Sequence, residues 1–243
     1  LFGEEGETNK VIFLKINDRQ GEDKIENKER LHIERAIGSE MKGDFDLHNP
    51  EQFFAIAPYQ QRWYFGTYTK SEPIWFNHIK KPKEYSTALS TRVARAVANI
   101  AVPHPSGVRA IDPCCGIGTV LVEARSMDID IVGRDINPLV CIGSRENLAY
   151  FGLTGQVEKG AIQDIEEAYD VAIIDLPYNL YTHASWEEQL TILKHAKRIA
   201  KRVVIVTIES MDDRLESIGL HIKDRCITTK QQFEREILVC ESK

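Results

Sequence analysis

The stretch from Val108 to Asp135, VRAIDPCCGIGTVLVEARSMDIDIVGRD, leaves few folds open. It begins with a short apolar run, Val108 to Ile111, that ends in Asp112. A tight turn follows, Pro113-Cys114-Cys115-Gly116-Ile117-Gly118. Next comes a segment of helical period, Thr119 to Met127, with Val120, Leu121 and Ala124 on one face. A second apolar run, Ile129 to Val132, leads to Arg134-Asp135. The order reads strand, glycine turn, helix, strand, with an acid closing the second strand. Glycines at the turn let backbone approach a ligand that a side chain would push away. Asp135 follows Gly118 at close to the ~20-residue spacing at which such an acid meets ribose hydroxyls.

The three-glycine dinucleotide fingerprint is not completed, because Leu121 stands where its third glycine would fall. A two-glycine turn with an acid before it suits a nucleoside that carries an amino acid, which is S-adenosylmethionine. A lone G-x-G is compatible with an ordinary tight turn. Strand, helix and second acid in register favour the nucleoside site.

With 243 residues there is room for one large domain and a small appendage. No run of 18 apolar residues occurs, so no transmembrane helix is expected. The opening LFGEEGETNK lacks the charged-then-apolar order of a signal peptide. The chain opens on Leu1 rather than Met, which leaves room for a missing start. Cys114, Cys115, Cys141, Cys226 and Cys240 form no C-x-x-C pair and are odd in number. That pattern fits reduced cytoplasmic thiols better than disulfides or zinc, and no metal ligand cluster is expected. A net charge of −6 gives nucleic acid no bulk attraction, so such a partner needs a local basic face. Lys70, Lys80, Lys81, Lys83, Arg92 and Arg95 are one candidate face. Lys194, Lys197, Arg198, Lys201 and Arg202 are a second, equally readable as a solvated helix face.

Taken in order, Lys10 to Ile16 reads as a strand and Asn17 to Lys28 as a polar loop. Glu29 to Met41 has helical spacing through Ile33, Ala36 and Ile37. Phe53 to Ala57 and Trp63 to Tyr68 form a hairpin across Pro58 to Arg62. Residues 1–70 are thus expected as a small α+β unit and 71–86 as a linker containing Pro73 and Pro82. The main domain is expected over 87–243. A helix from Thr87 to Val102 carries the stripe Leu89, Val93, Val97 and Ile100. After the central stretch come a helix at Pro138 to Phe151 and strands at Gln156 to Lys159 and Val171 to Ile174. A helix at Trp186 to Ala200, a strand at Arg202 to Ile208 and a short helix at Met211 to Ile218 follow. Two strands, His221 to Thr228 and Phe233 to Cys240, close the chain. Alternating apolar strands and helices predict an α/β fold. Its sheet is mostly parallel with helices on both faces, and the closing strand pair supplies an antiparallel edge.

A second motif, Asp175-Leu176-Pro177-Tyr178, ends the fourth strand of that domain. Ligands of open α/β sheets sit at the carboxyl ends of strands, where Asp112, Asp135 and Asp175 all fall. The Asp175 side chain and the Leu176 carbonyl can accept hydrogen bonds from an exocyclic amine, and Tyr178 can stack on a base. The bland reading is a proline turn that terminates a strand.

Asp112 to Thr119 resembles the D-P-F-C-G-S-G-T glycine motif of class I methyltransferases, and Asp175 to Tyr178 resembles their D-P-P-Y amino-methylation motif. The chain is most similar to the THUMP-containing tRNA guanine-N2 methyltransferases. Lys81-Pro82, Ser86 to Leu89 and Arg92 to Ile100 resemble the segment that precedes the glycine motif there. Met41 to Tyr68 resembles the piece before that. The match covers roughly residues 30–243. Cys114 replaces the usual Phe, Leu176 the first Pro of D-P-P-Y, and Asn179 a usual Gly. Gly160-Ala161-Ile162 lacks the acid of the usual G-D-A adenine contact, with Asp164 nearby. The N-terminal unit is shorter than a complete THUMP module.

The resemblance implies a Rossmann-like class I methyltransferase fold with a seven-stranded sheet. It implies S-adenosylmethionine as cofactor, held by Asp112, Pro113, Cys114, Cys115, Gly116, Gly118, Thr119, Asp135, Ile136 and Asp164. Methyl transfer to guanine N2 in tRNA would fall to Asp175, Leu176, Pro177 and Tyr178. Two other readings stay open: an amino-methyltransferase acting on DNA or protein, and a non-catalytic RNA module that binds the cofactor.

Overall fold

The structure is a computed structural model that describes residues 2–15, 25–85, 88–177, 185–230 and 233–242. The chain divides into two compact units, Leu1–Glu72 and Pro73–Lys243.

The first unit contains β1 (Thr8–Phe13), α1 (Asn27–Ser39), β2 (Asp44–Phe45), β3 (Gln52–Tyr59) and β4 (Arg62–Thr67). Its sheet order is β2-β1-β3-β4, with β1 parallel to both neighbours and β3 antiparallel to β4. Alternation along β3 sends Phe54 and Ile56 to one side, where they join Val11 and receive Ile33 and Ile37 of α1. The hairpin is tighter than its sequence suggests. Tyr59 pairs with Arg62, so only Gln60 and Gln61 turn the chain, both at positive φ (49° and 60°). A two-residue turn between twisted strands requires that left-handed backbone even without glycine.

The second unit begins with α2 (Ile74–Asn77), α3 (Thr91–Ala101), β5 (Arg109–Asp112), α4 (Thr119–Arg125) and β6 (Asp130–Asp135). It continues with α5 (Pro138–Tyr150), β7 (Gln156–Lys159), β8 (Tyr169–Asp175), α6 (Trp186–Ile199) and β9 (Ala200–Thr207). It ends with α7 (Asp212–Ser217), β10 (Leu220–Lys230) and β11 (Phe233–Ser242). The sheet runs β10-β11-β9-β8-β5-β6-β7, parallel except for β11, which enters between β9 and the edge strand β10. Apolar side chains on its two faces form two cores. One gathers residues of α3, α4 and α5, the other residues of α6 and α7. Strand order reverses between β5 and β8, and that switch point opens a cleft at the carboxyl ends of both strands.

Local chemistry sets the helix ends. The Asn137 side chain accepts the Leu139 N–H at 2.9 Å, and Pro138 takes the first helical position of α5. Ser185 and Glu188 close a reciprocal capping box on α6.

Two expectations change. The core-facing side of α3 is wider than the expected stripe: Ala94, Ala98 and Ala101 are buried with Val97, and Val93 and Ile100, partly buried, pack against the same core. Small side chains on that face let α3 approach its neighbours closely. The stretch read as a linker carries α2 and a buried anchor. His78 Nδ1 lies 2.8 Å from Oε1 of Glu123, a fully buried acid on α4. Arg95 of α3 reaches the other carboxylate oxygen at 3.1 Å. A carboxylate inside an apolar helix face is tolerable only with such partners.

Candidate active site

The glycine turn is built by backbone. The Cys115 N–H donates to the Arg134 carbonyl (3.0 Å), and the Cys114 N–H to Oδ1 of Asp112 (3.2 Å). Asp135 takes one donor on each oxygen, the Gly116 N–H on Oδ2 and the Asn137 N–H on Oδ1, both at 2.9 Å. The two glycines do different things. Gly118 (φ +76°) packs so tightly that a Cβ would lie 2.1 Å from Ser144 Oγ on α5. Gly116 (φ +51°) has nothing within 4 Å of that position, so its backbone faces open space. The missing third glycine is also explained. A Cβ on Gly133 of β6 would sit 2.3 Å from the Leu121 side chain, so the small residue that lets helix and strand approach has moved to the strand.

Beside the turn lies a cleft of about 210 Å³ whose lining includes Asp112, Gly116, Thr119, Asp175, Pro177 and Tyr85. Pro113, in the same turn, is buried. Burial pushes the Asp112 carboxyl well above the carboxylate range, against the pull of the Cys114 N–H, and the charges of Asp175 and Asp135 add to the rise. Burial also raises Asp175, to about 7, while the charge of Arg235 acts the other way. Oδ1 of Asp175 and Oγ1 of Thr119 are buried with no hydrogen-bond partner among the described residues. Cys114 and Cys115 are free thiols held protonated by burial, so neither supplies a thiolate.

Leu176 explains its own departure from D-P-P-Y. Its side chain is buried in the core with Ile111 and Leu193, and its N–H donates to the Val206 carbonyl at 3.0 Å. The Pro177 carbonyl accepts from Gln189 of α6 at 2.9 Å. Tyr178 and Asn179 lie outside the described residues. Asp135, Ile136 and Asp164 do not line the cleft. Asp135 connects to it through Gly116, Ile136 beside it is 71% exposed, and Asp164 is exposed on the single turn Ile162–Asp164. At Gly160 the Arg134 guanidinium fills the space over the backbone, and its Nε donates to the Ala161 carbonyl at 3.1 Å.

Sequence reasoning missed two fixings of the cleft wall. Asn147, fully buried on α5, accepts the Lys83 N–H (2.9 Å) and donates to the carbonyls of Lys83 (3.0 Å) and Ile117 (2.9 Å). It thereby ties the segment leading to Tyr85 to the glycine turn. His78 fixes the same segment further back. Several residues of the expected basic faces have partners within the fold, although Lys83, Arg92 and Arg198 stay exposed. Arg95 holds Glu123, Lys83 pairs with Glu146, and Arg92 lies over Trp75. Lys197, Arg198 and Arg202 donate to the carbonyls of Ile218, Gln163 and Ile100. No cluster that could hold a metal is present among the described residues.

An open, mostly parallel sheet with a glycine turn and acids at its switch point defines a class I methyltransferase fold. The family model described as UPF0020, an RMKL-like methyltransferase domain, matches residues 79–231, and the chain belongs to that family. It is 33% identical over 112 residues to a tRNA (guanine(10)-N2)-dimethyltransferase of Methanothermobacter thermautotrophicus, covering 45% of this chain and 33% of that protein. To the U6 snRNA (guanine-N(2))-methyltransferase THUMPD2 of Mus musculus it is 34% identical over 100 residues, covering 38% of this chain and 19% of that one. The chain thus matches only a third or less of the length of these relatives. Among solved structures, TrmN from Thermus thermophilus superimposes with a TM-score of 0.57 at 18% identity, over 98% of this chain and 73% of that one. Magnesium protoporphyrin IX methyltransferase from Synechocystis PCC 6803, with bound SAM, superimposes at 0.55 and 14% identity, over 70% and 90%.

Proposed function

We propose that the chain is the catalytic part of an S-adenosylmethionine-dependent RNA methyltransferase that modifies the exocyclic N2 of guanine, in tRNA. The observation that carries this reading is Asp175. It is a half-buried carboxylate at the switch point, in one cleft with the glycine turn, with one buried oxygen left unpartnered among the described residues. The fit to the cofactor rests on the open space at Gly116 and the unpartnered Thr119 hydroxyl in the same cleft. Asp112, the turn Pro113 to Thr119, and Asp135 with Ile136 would hold it, Asp135 offering the free lone pairs of both its oxygens.

Bound S-adenosylmethionine supplies an electrophilic methyl group, so the work left to the protein is alignment and electrostatics. Asp175 accepts an N–H of the amine and offsets the positive charge that grows there. The carbonyl of Leu176 is the second acceptor, and Tyr178 the stacking partner of a base taken out of its helix. The unit up to Glu72 is read as a separate domain that helps hold RNA, ahead of the methyltransferase domain. A cytoplasmic location goes with tRNA as partner. Among the described residues no helix is long and apolar enough to cross a membrane.

Transfer of tritiated methyl groups to unmodified tRNA, DNA and protein tests this reading. Label should enter tRNA and release N2-methylguanosine on digestion. Label in DNA or protein alone, or in none of the three, overturns it. Asp175→Ala should lower transfer by about 10²–10³-fold.

A further inference from the structure

Arg235 sits on β11, two strands away from Asp175, and the sheet register brings the two together. In the β8–β9 pair Asp175 stands opposite Val206, and in the β9–β11 pair Val206 stands opposite Ile237. These three residues form one row, with side chains on one face. Arg235 lies two residues before Ile237, so it shares that face. Because β11 runs antiparallel, Arg235 falls two residues beyond the carboxyl end of β8, on the side where the cleft opens. Two strand spacings of about 4.8 Å and two rises of about 3.4 Å separate the Cα atoms by about 12 Å. An arginine and an aspartate reaching toward each other span most of that distance.

The surroundings give Asp175 little else. β5 and the glycine turn present Asp112 and Cys114, neither of them a cation. β9 presents Val206, and α6 presents Gln189, which holds the Pro177 carbonyl. On α3, Arg92 lies over Trp75 and Arg95 holds Glu123. Arg235, itself half-buried, is the cation among the described groups whose charge acts on Asp175.

We propose that Arg235 is a positioning residue for Asp175: from across β9 it keeps the carboxylate charged and in place at the end of β8. The β10–β11 hairpin then sets the electrostatics of the reacting centre. This rests on reading Asp175 as the group that meets the amine.

Carboxyl-carbon NMR of the full chain, without cofactor or RNA, follows Asp175 directly, its resonance assigned by its loss in Asp175→Asn. The native midpoint should lie at about 7. Arg235→Gln should move it up by about one unit or more, since an opposite charge has been removed. Arg235→Lys keeps the charge and should leave the midpoint near native. The acid limb of the methyl-transfer pH profile should move with it. A midpoint unmoved in Arg235→Gln, or moved equally far in Arg235→Lys, overturns the proposal. A purely architectural role would lower the melting temperature and leave the midpoint alone. If Asp175→Asn transferred methyl groups at the native rate, the reading of Asp175 would fail, while the NMR midpoints would still decide the pairing.

Discussion

Asp112 and Asp175 end neighbouring strands of one sheet and face one cleft, yet they are held in opposite ways. Around Asp112 everything is tied down by main chain. Cys114 binds Asp112, Cys115 binds Arg134, and Gly116 binds Asp135. At Asp175 one carboxylate oxygen is buried without a hydrogen-bond partner among the described residues, and burial raises its pKa to about 7. The main chain of the glycine turn is therefore set by folding alone, while Thr119 Oγ1 in the same cleft stays without a partner among the described residues. Both carboxyls carry an unfavourable burial, and at Asp175 the oxygen that a hydrogen-bond donor would relieve is still open. Polar groups buried without partners recur where a ligand completes the set.

That contrast breaks most visibly on pH. The folded pKa of Asp175, about 7, lies above its ordinary value of 3.8. The associated stability is fully present below the lower value and is lost as pH rises through the higher one. By pH 8 the loss is at most about 4 kcal/mol. Asp112 is raised as well and adds a dependence of the same sign. Asp175→Asn should therefore raise the melting temperature of the cofactor-free protein at pH 8, and the gain should shrink as pH falls toward 4. A variant that melts lower than native at pH 8 would mean that Asp175 supports the fold.

In the glycine turn the two glycines should separate. Gly118→Ala meets both a left-handed backbone and Ser144 Oγ. It should lose about 2–3 kcal/mol in denaturant unfolding. Gly116→Ala meets open space. Only the backbone strain of about 1–2 kcal/mol should appear there, with cofactor affinity the more sensitive readout. Equal losses at the two positions would erase the distinction between packing and approach. A smaller effect is expected at Asp135. Asp135→Ala should weaken S-adenosylmethionine binding by about 1–3 kcal/mol in calorimetry, and unchanged affinity would remove it from the site.

Much of the fold was legible because its signals are local. The apolar runs at β5, β8 and β9, the glycine turn and Pro138 each announce themselves within a few residues, and their elements form close to where the pattern puts them. The candidate cleft was legible at the strand ends, where Asp112 and Asp175 line it. What escaped depends on residues far apart in the chain. His78 looks like part of a proline-flanked linker until Glu123 is found beside it. Arg95 looks like part of a basic face until the buried Glu123 appears beside it. The role of Asn147 needs α5, the glycine turn and Lys83 in contact. Arg235 acquires meaning only once β11 lies beside β9. β2, two residues long, is too short to show a period.

The most direct test of the account is methyl transfer to tRNA per folded molecule of Asp175→Asn, with cofactor affinity taken on the same preparation. Asparagine keeps the shape and one acceptor oxygen and removes the charge. The account predicts transfer slowed by about tenfold or more, cofactor affinity close to native, and a fold no less stable at pH 8. Native turnover from this variant, or a loss of turnover no larger than its loss of folded protein, would contradict the claim that Asp175 serves the chemistry.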